Sequence, residues 1–164
     1  SGSADASLSL VNVMSIDNNG AVTMPLQPAF GAYAGTQDNI AASTWHTIVF
    51  SNEFFDQNSD FNTSTYTFTA PVTGKYQLNN SIRMSLDSGA AYYHTELATS
   101  NQTFRTTNRT NAFLNADAPY YTFTISVLAD MDAGDTAYVK VYQAAGSVES
   151  DIHSDSRFSG YLAC

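Results

Sequence analysis

Hydrophobic and polar residues alternate along much of this chain with a period of two, the spacing of a strand with one buried face. The cleanest run sets Tyr121, Phe123, Ile125 and Val127 against Thr122, Thr124 and Ser126. Ala137, Val139 and Val141 alternate in the same way with Tyr138, Lys140 and Tyr142. Tyr66, Phe68 and Ala70 oppose Thr67 and Thr69, and Pro71 then stops the run because it has no N–H to give a ladder. Gly74 permits a tight turn, and a further run leaves it with Tyr76, Leu78, Ile82 and Met84 on one side. The pattern predicts two antiparallel strands around a short corner.

The same reading places a first domain strand at Pro28–Tyr33, a loop at Asp38–Ser43 and a short strand at Trp45–Phe50. Trp45–Phe50 has apolar residues on both faces, which predicts burial between a sheet and a further layer. Glu53–Ser64 reads as a polar loop punctuated by Phe54, Phe55 and Phe61. Ala90–Ala98 and Gln102–Asn108 form a predicted hairpin around Thr99–Asn101. Asn111–Pro119, Asp130–Asp135 and Gly146–Ser156 read as loops or turns, and Phe158–Leu162 as a closing strand. Upstream, Leu8, Leu10, Val11 and Val13 suggest a strand, and Ile16 precedes the turn Asp17-Asn18-Asn19-Gly20. No helical period is present. Many short strands separated by turn signals predict an all-β, two-sheet antiparallel sandwich or jelly roll.

Length and composition narrow the function. The 164 residues fit one domain, read as residues 28–164 behind a leader at 1–27, with Ser1-Gly2-Ser3 resembling a cloning scar. Charged residues are 13% and the formal net charge is −9, so a nucleic-acid partner, which needs a basic footprint, is not expected. No apolar run approaches the ~18 residues of a membrane-spanning helix, and membrane insertion is not expected. The single cysteine, Cys164, cannot form an internal disulfide.

Three motifs carry a family resemblance. Phe68-Thr69-Ala70-Pro71-Val72-Thr73-Gly74-Lys75-Tyr76 resembles the central motif of C1q-like domains. Ala133-Gly134-Asp135-Thr136-Ala137-Tyr138-Val139 is similar to the late hairpin turn of that family, and Arg157-Phe158-Ser159-Gly160-Tyr161-Leu162 to its closing strand. The resemblance spans about Pro28 to Leu162 and implies a jelly roll that assembles as a trimer, binds ligands and carries no enzyme chemistry. The phrase from Ile16 to Phe30 resembles the lead-in to C1q-like domains at the tips of phage tail fibres, which implies a virion-surface, extracellular setting.

Catalytic motifs are weak. His46, His94 and His153 are isolated, with neither a Gly-x-Ser-x-Gly elbow nor a zinc-ligand spacing. Polysaccharide hydrolysis by two carboxylates brought together across loops is the enzymatic alternative. Asp130, Asp132 and Asp135 form a dense acidic turn and a candidate calcium site, since hard cations take clustered oxygen ligands. Asp151 and Asp155 form a second acidic cluster. Asn62, Asn79, Asn101 and Asn108 open glycosylation sequons that carry no meaning in a phage protein. Tyr138, Tyr142 and Tyr161 point away from the predicted core and are expected at a trimer interface. Tyr92, Tyr93, Phe104, Arg105 and Tyr120 lie beside predicted loops, where aromatic rings can stack on a sugar. The resulting expectation is a homotrimeric receptor-binding or adhesion module of a viral fibre, taking a host cell-surface glycan or protein. A structural trimerisation cap without a recognition role is the alternative.

Overall fold

A computed structural model of the chain describes residues 13–110 and 115–164. Its strands are β1 (Ser15–Ile16), β2 (Val22–Thr23), β3 (Ala29–Tyr33), β4 (Gln37–Ile40) and β5 (Trp45–Thr47). There follow β6 (Asn52–Asp56), β7 (Phe61–Asn62), β8 (Thr67–Thr69), β9 (Gly74–Leu86) and β10 (Tyr92–Thr99). The last five are β11 (Thr103–Asn108), β12 (Ala118–Met131), β13 (Thr136–Ala144), β14 (Ser150–Ile152) and β15 (Arg157–Leu162).

Two antiparallel sheets form a sandwich. The six-stranded sheet runs β11-β10-β13-β8-β7, with β5 added to β13. The seven-stranded sheet runs β4-β14-β9-β15-β3-β6, with β12 on the other flank of β9. Alternate residues of both sheets meet between them. Phe30 of the larger sheet stacks on Phe68 of the smaller at 4.7 Å and on Phe61 at 5.1 Å, while Phe158 meets it edge-on at 5.0 Å. These geometries add to the apolar burial that dominates the fold. Gly160 belongs to this contact, because a Cβ there would lie 2.6 Å from Leu78 Cδ2 and 2.9 Å from Phe30 Cε1.

The predicted runs in β9, β12, β13 and β15 and the β10–β11 hairpin are present. The strands on either side of Pro71 differ from expectation. β8 pairs with β13 and β7, whereas β9 pairs with β12, β14 and β15. The corner therefore carries the chain from one sheet to the other and does not close a hairpin. Three stretches read as loops carry strands: β4 overlaps 38–43, β6 overlaps and β7 lies within 53–64, and β14 lies within 146–156. β4, β6 and β7 lie at sheet margins, and β4 and β6 leave many of their residues exposed, so no alternation marks them, while β14 is only three residues long. Trp45 and Thr47 are exposed, and only Ile48 and Phe50 beyond β5 are buried, so β5 itself is not covered on both sides.

The expected strand at Leu8, Leu10 and Val11 lies outside the described residues, as does part of the 111–119 loop. The turn at 17–20 is present between β1 and β2, with Gly20 at φ 83 and Asp17 accepting the Asn19 and Ala21 N–H groups. This small hairpin joins the domain through Gln57 and Asn58, which donate to the Met24 and Leu26 carbonyls at 2.8 and 3.0 Å. The chain enters the sandwich next to its last strand: Leu162 N–H donates to Pro28 O at 3.0 Å, and Lys75 N–H to Cys164 O at 2.7 Å. Ala70, Gly74 and Thr136 lie at this same pole, since Gly134 N–H donates to Ala70 O and Ala70 N–H to Asp135 O. Tyr142 stands six residues further along β13, about 20 Å away at ~3.3 Å per residue.

Candidate functional site: an aromatic shelf on the outer face of the smaller sheet

Strand register assembles the site. On β10, Tyr93, Thr95 and Leu97 point into the core, so Tyr92, His94 and Glu96 project outward. Pairing with β11, β13 and β5 aligns Thr107, His94, Tyr142 and Trp45 in one row across the sheet. The adjacent row is Arg105, Glu96, Lys140 and Thr47. Strand β5, the β10–β11 hairpin and β13, distant in sequence, thus place four aromatic rings beside two cations and one carboxylate.

The rings touch. Trp45 lies flat over His94 at 5.9 Å and tilts against Tyr142 at 5.2 Å. Tyr92 contacts His94 at 4.6 Å and Tyr142 at 6.3 Å. Trp45 keeps 38% of its surface exposed. Lys140 Nζ sits 4.5 Å from the Trp45 ring centre and the Arg105 guanidinium 5.5 Å, both within cation–π range. Glu96 is 1% exposed, yet it is fully paired: Oε2 accepts from Lys140 Nζ at 2.9 Å and Oε1 from Arg105 Nε and Nη2. A buried carboxylate is tolerable only when so satisfied. His94 Nδ1 bonds the Thr107 hydroxyl at 2.9 Å. Burial and the Arg105 charge push the His94 pKa down, with Glu96 opposing, so the ring favours its neutral form.

The arrangement offers a partly exposed indole face, flanking tyrosines and charge-fixed polar groups. That combination suits a ligand with alternating apolar and hydroxylated surfaces. Nothing in it resembles a nucleophile with its base, or a carboxylate pair across a cleft.

Two of the residues expected to bind ligand, Tyr92 and Arg105, belong to this shelf. Tyr93 does not: it is fully buried, its hydroxyl accepting the Asp87 N–H at 2.8 Å and bonding Ser150 Oγ at 2.8 Å. Phe104 is half-buried against the core, because the pleat turns it inward beside Leu97. Tyr120 is exposed on the other sheet, under the Arg83 guanidinium at 4.2 Å and beside His153 at 5.0 Å. The three tyrosines expected at a trimer interface lie on opposite sides of the sandwich. Tyr138 and Tyr142 are on the outer face of the smaller sheet, and Tyr161, half exposed, is on that of the larger.

The acidic turn does not gather its carboxylates. Asp130 pairs with Lys75 at 2.6 Å, Asp132 accepts from the Thr73 hydroxyl, and Asp135 accepts the Asp132 N–H at 2.8 Å. Asp155 pairs with Arg83, and Asp151 accepts the Asn39 N–H at 2.9 Å. Among the described residues no group of three or more His, Cys, Asp or Glu side chains is placed so that it could hold a metal ion. The residues that the sequence reading passed over are Trp45, His94, Glu96 and Lys140. Their outward alternation is visible strand by strand; their convergence depends on register.

The profile of the C1q domain matches residues 29–163. Among solved structures, the globular domain of zebrafish complement 1qA protein is 17% identical, with a TM-score of 0.60 over 84% of this chain and 98% of that one. Murine APRIL at pH 8.0 is 11% identical, with a TM-score of 0.55 over 83% and 98%. The PRD1 vertex protein P5 is 10% identical, with a TM-score of 0.52 over 82% and 96%. A search of curated protein sequences gives no match. With an all-β sandwich and a profile match over most of its length, this chain belongs to the C1q domain family.

Proposed function

We propose that this chain is the trimeric recognition module of a viral fibre and holds a host-surface saccharide on the Trp45 shelf. C1q and related domains are typically homotrimeric, extracellular and non-enzymatic ligand-binding modules, which supplies the coarse frame. The observation that carries the finer reading is the cluster of Trp45, Tyr92, His94 and Tyr142, held open on the outer face. Such rings belong in a core unless something else covers them. The shelf also lies towards the pole away from the position where the chain enters, which suits contact with a distant surface. The viral setting rests on the lead-in phrase from Ile16 to Phe30.

Self-association is better supported on the other sheet. Its outer face exposes Leu128, Phe55 and Tyr161 beside a hydrogen-bonded polar ladder of Gln77, Asn79 and Ser126. A contact there leaves Tyr92, Tyr142 and Trp45 free on each of three copies. Three weak sites on one body raise avidity without strong single contacts.

Light scattering tests the assembly, and glycan-array binding with adsorption competition tests recognition. The expected result is a mass three times 17.7 kDa and saccharide binding that Trp45→Ala weakens at least tenfold. A monomer overturns the assembly. A folded trimer that binds no saccharide and leaves adsorption unaffected overturns recognition and favours a structural cap.

A further inference from the structure

We infer that the saccharide taken by this shelf is acidic, with its carboxylate or sulfate seated on Arg105 while a sugar ring lies on Trp45; the inference rests on reading the shelf as a saccharide site.

The charge distribution points to an anion. The chain as a whole is strongly acidic, at −9. On the outer face of the six-stranded sheet, the strand positions carry only three charges, Arg105, Lys140 and Glu96. Two cations against one carboxylate leave this face one positive charge in surplus. The carboxylate is also the charge hidden from solvent, at 1% exposure, whereas the Arg105 side chain is 48% exposed. An approaching ligand therefore meets the guanidinium and not the acid beneath it.

Arg105 is also set in place for such a contact. Glu96 engages its Nε and Nη2, which fixes the plane of the fork. Nη1 makes no hydrogen bond to a described residue. A guanidinium presents five N–H donors, so Nη1 and the outer hydrogen of Nη2 remain for a planar or tetrahedral oxyanion. Holding the fork in advance lowers the entropy that an anion must otherwise overcome. The guanidinium carbon lies 5.5 Å from the Trp45 ring centre, close enough for one ligand to touch both groups. Lys140, half-buried below the indole, adds a favourable potential at the same place.

The test uses the intact chain and paired probes that differ only in the acidic group: sialyllactose against lactose, and a sulfated galactoside against its unsulfated parent. At least a tenfold tighter titration of one acidic member over its neutral partner is expected. Arg105→Ala and Arg105→Gln are expected to bring that ratio close to one, with circular dichroism confirming the fold. Equal affinity for both members of each pair overturns the inference and leaves the saccharide reading in place. An acidic preference that survives both substitutions overturns the assignment to Arg105. Binding of neither member of any pair overturns the saccharide reading itself. The wild-type pairs decide the acidic preference even when a variant fails to fold.

Discussion

Trp45 lies parallel to His94, with the ring planes 11° apart, although 49 positions of chain separate them. The stacking takes water from the imidazole, and Arg105 adds a like charge to any proton it accepts. His46, half-buried with Nε2 at 2.9 Å from Gln37 Oε1, is likewise pushed down by burial. In both cases the folded pKa lies below the ordinary 6.5, so the unfolded chain takes up protons first as pH falls. Their contribution to stability is present above about pH 6.5 and is lost as pH drops through the lowered values. Thermal midpoints are expected to fall between pH 7.5 and 5.5, and His46→Gln with His94→Gln to flatten that decline. Asp60, raised by burial and by Asp56, acts in the opposite direction at lower pH. An unchanged slope in the double variant would assign the acid sensitivity elsewhere.

Glu96→Gln leaves Arg105 and Lys140 sharing one neutral acceptor. Lys140 is only 23% exposed and cannot fully recover its partner from water. The cost is expected to be about 1–3 kcal/mol, discounted because Arg105 reaches solvent. A urea titration reads it as a lower midpoint with an unchanged m-value.

Tyr93→Phe removes the acceptor of the buried Asp87 N–H and a partner of Ser150, whose hydroxyl donates onward to Gln143 Oε1 at 2.7 Å. Ring packing is retained, so the loss measures the hydroxyl network, about 1–3 kcal/mol for an unsatisfied buried donor. Faster hydrogen exchange at the Asp87 amide is the accompanying local signature.

Gly160→Ala forces a methyl group against Leu78, Phe30 and the Gln77 carbonyl, all within 3.1 Å of the new Cβ. Overpacking of this kind typically costs about 1–3 kcal/mol. Gly35→Ala meets nothing within 4 Å and is the matched control, expected to be near neutral. Equal stability of the two variants would show that the sandwich relaxes around residue 160.

The predictions separate what sequence can show from what it cannot. Alternation is a property of one strand, so β12 and β13 are visible from residues 121–127 and 137–142 alone. The family motif around Pro71 marks a corner correctly, but the β13 partners of β8 and the β12 partners of β9 lie 32 to 69 positions away. The same limit governs the shelf. Tyr92 and Arg105 can be suspected from their place beside predicted loops, whereas Trp45 comes up against His94, Tyr142 and Arg105 only through β5–β13 register. Tyr93 shows the converse. It neighbours Tyr92 in sequence and has the same chemistry, and a single step of the pleat commits it to the core.

The hydrogen bond between Leu162 N–H and Pro28 O makes the sandwich a closed cassette. Splicing such a unit into a loop of another protein opens that loop by little more than the width of one strand pair, and the closure entropy to be overcome is small. A unit whose ends meet in this way can therefore be exchanged as a block at 28 and 162 without displacing the segments on either side.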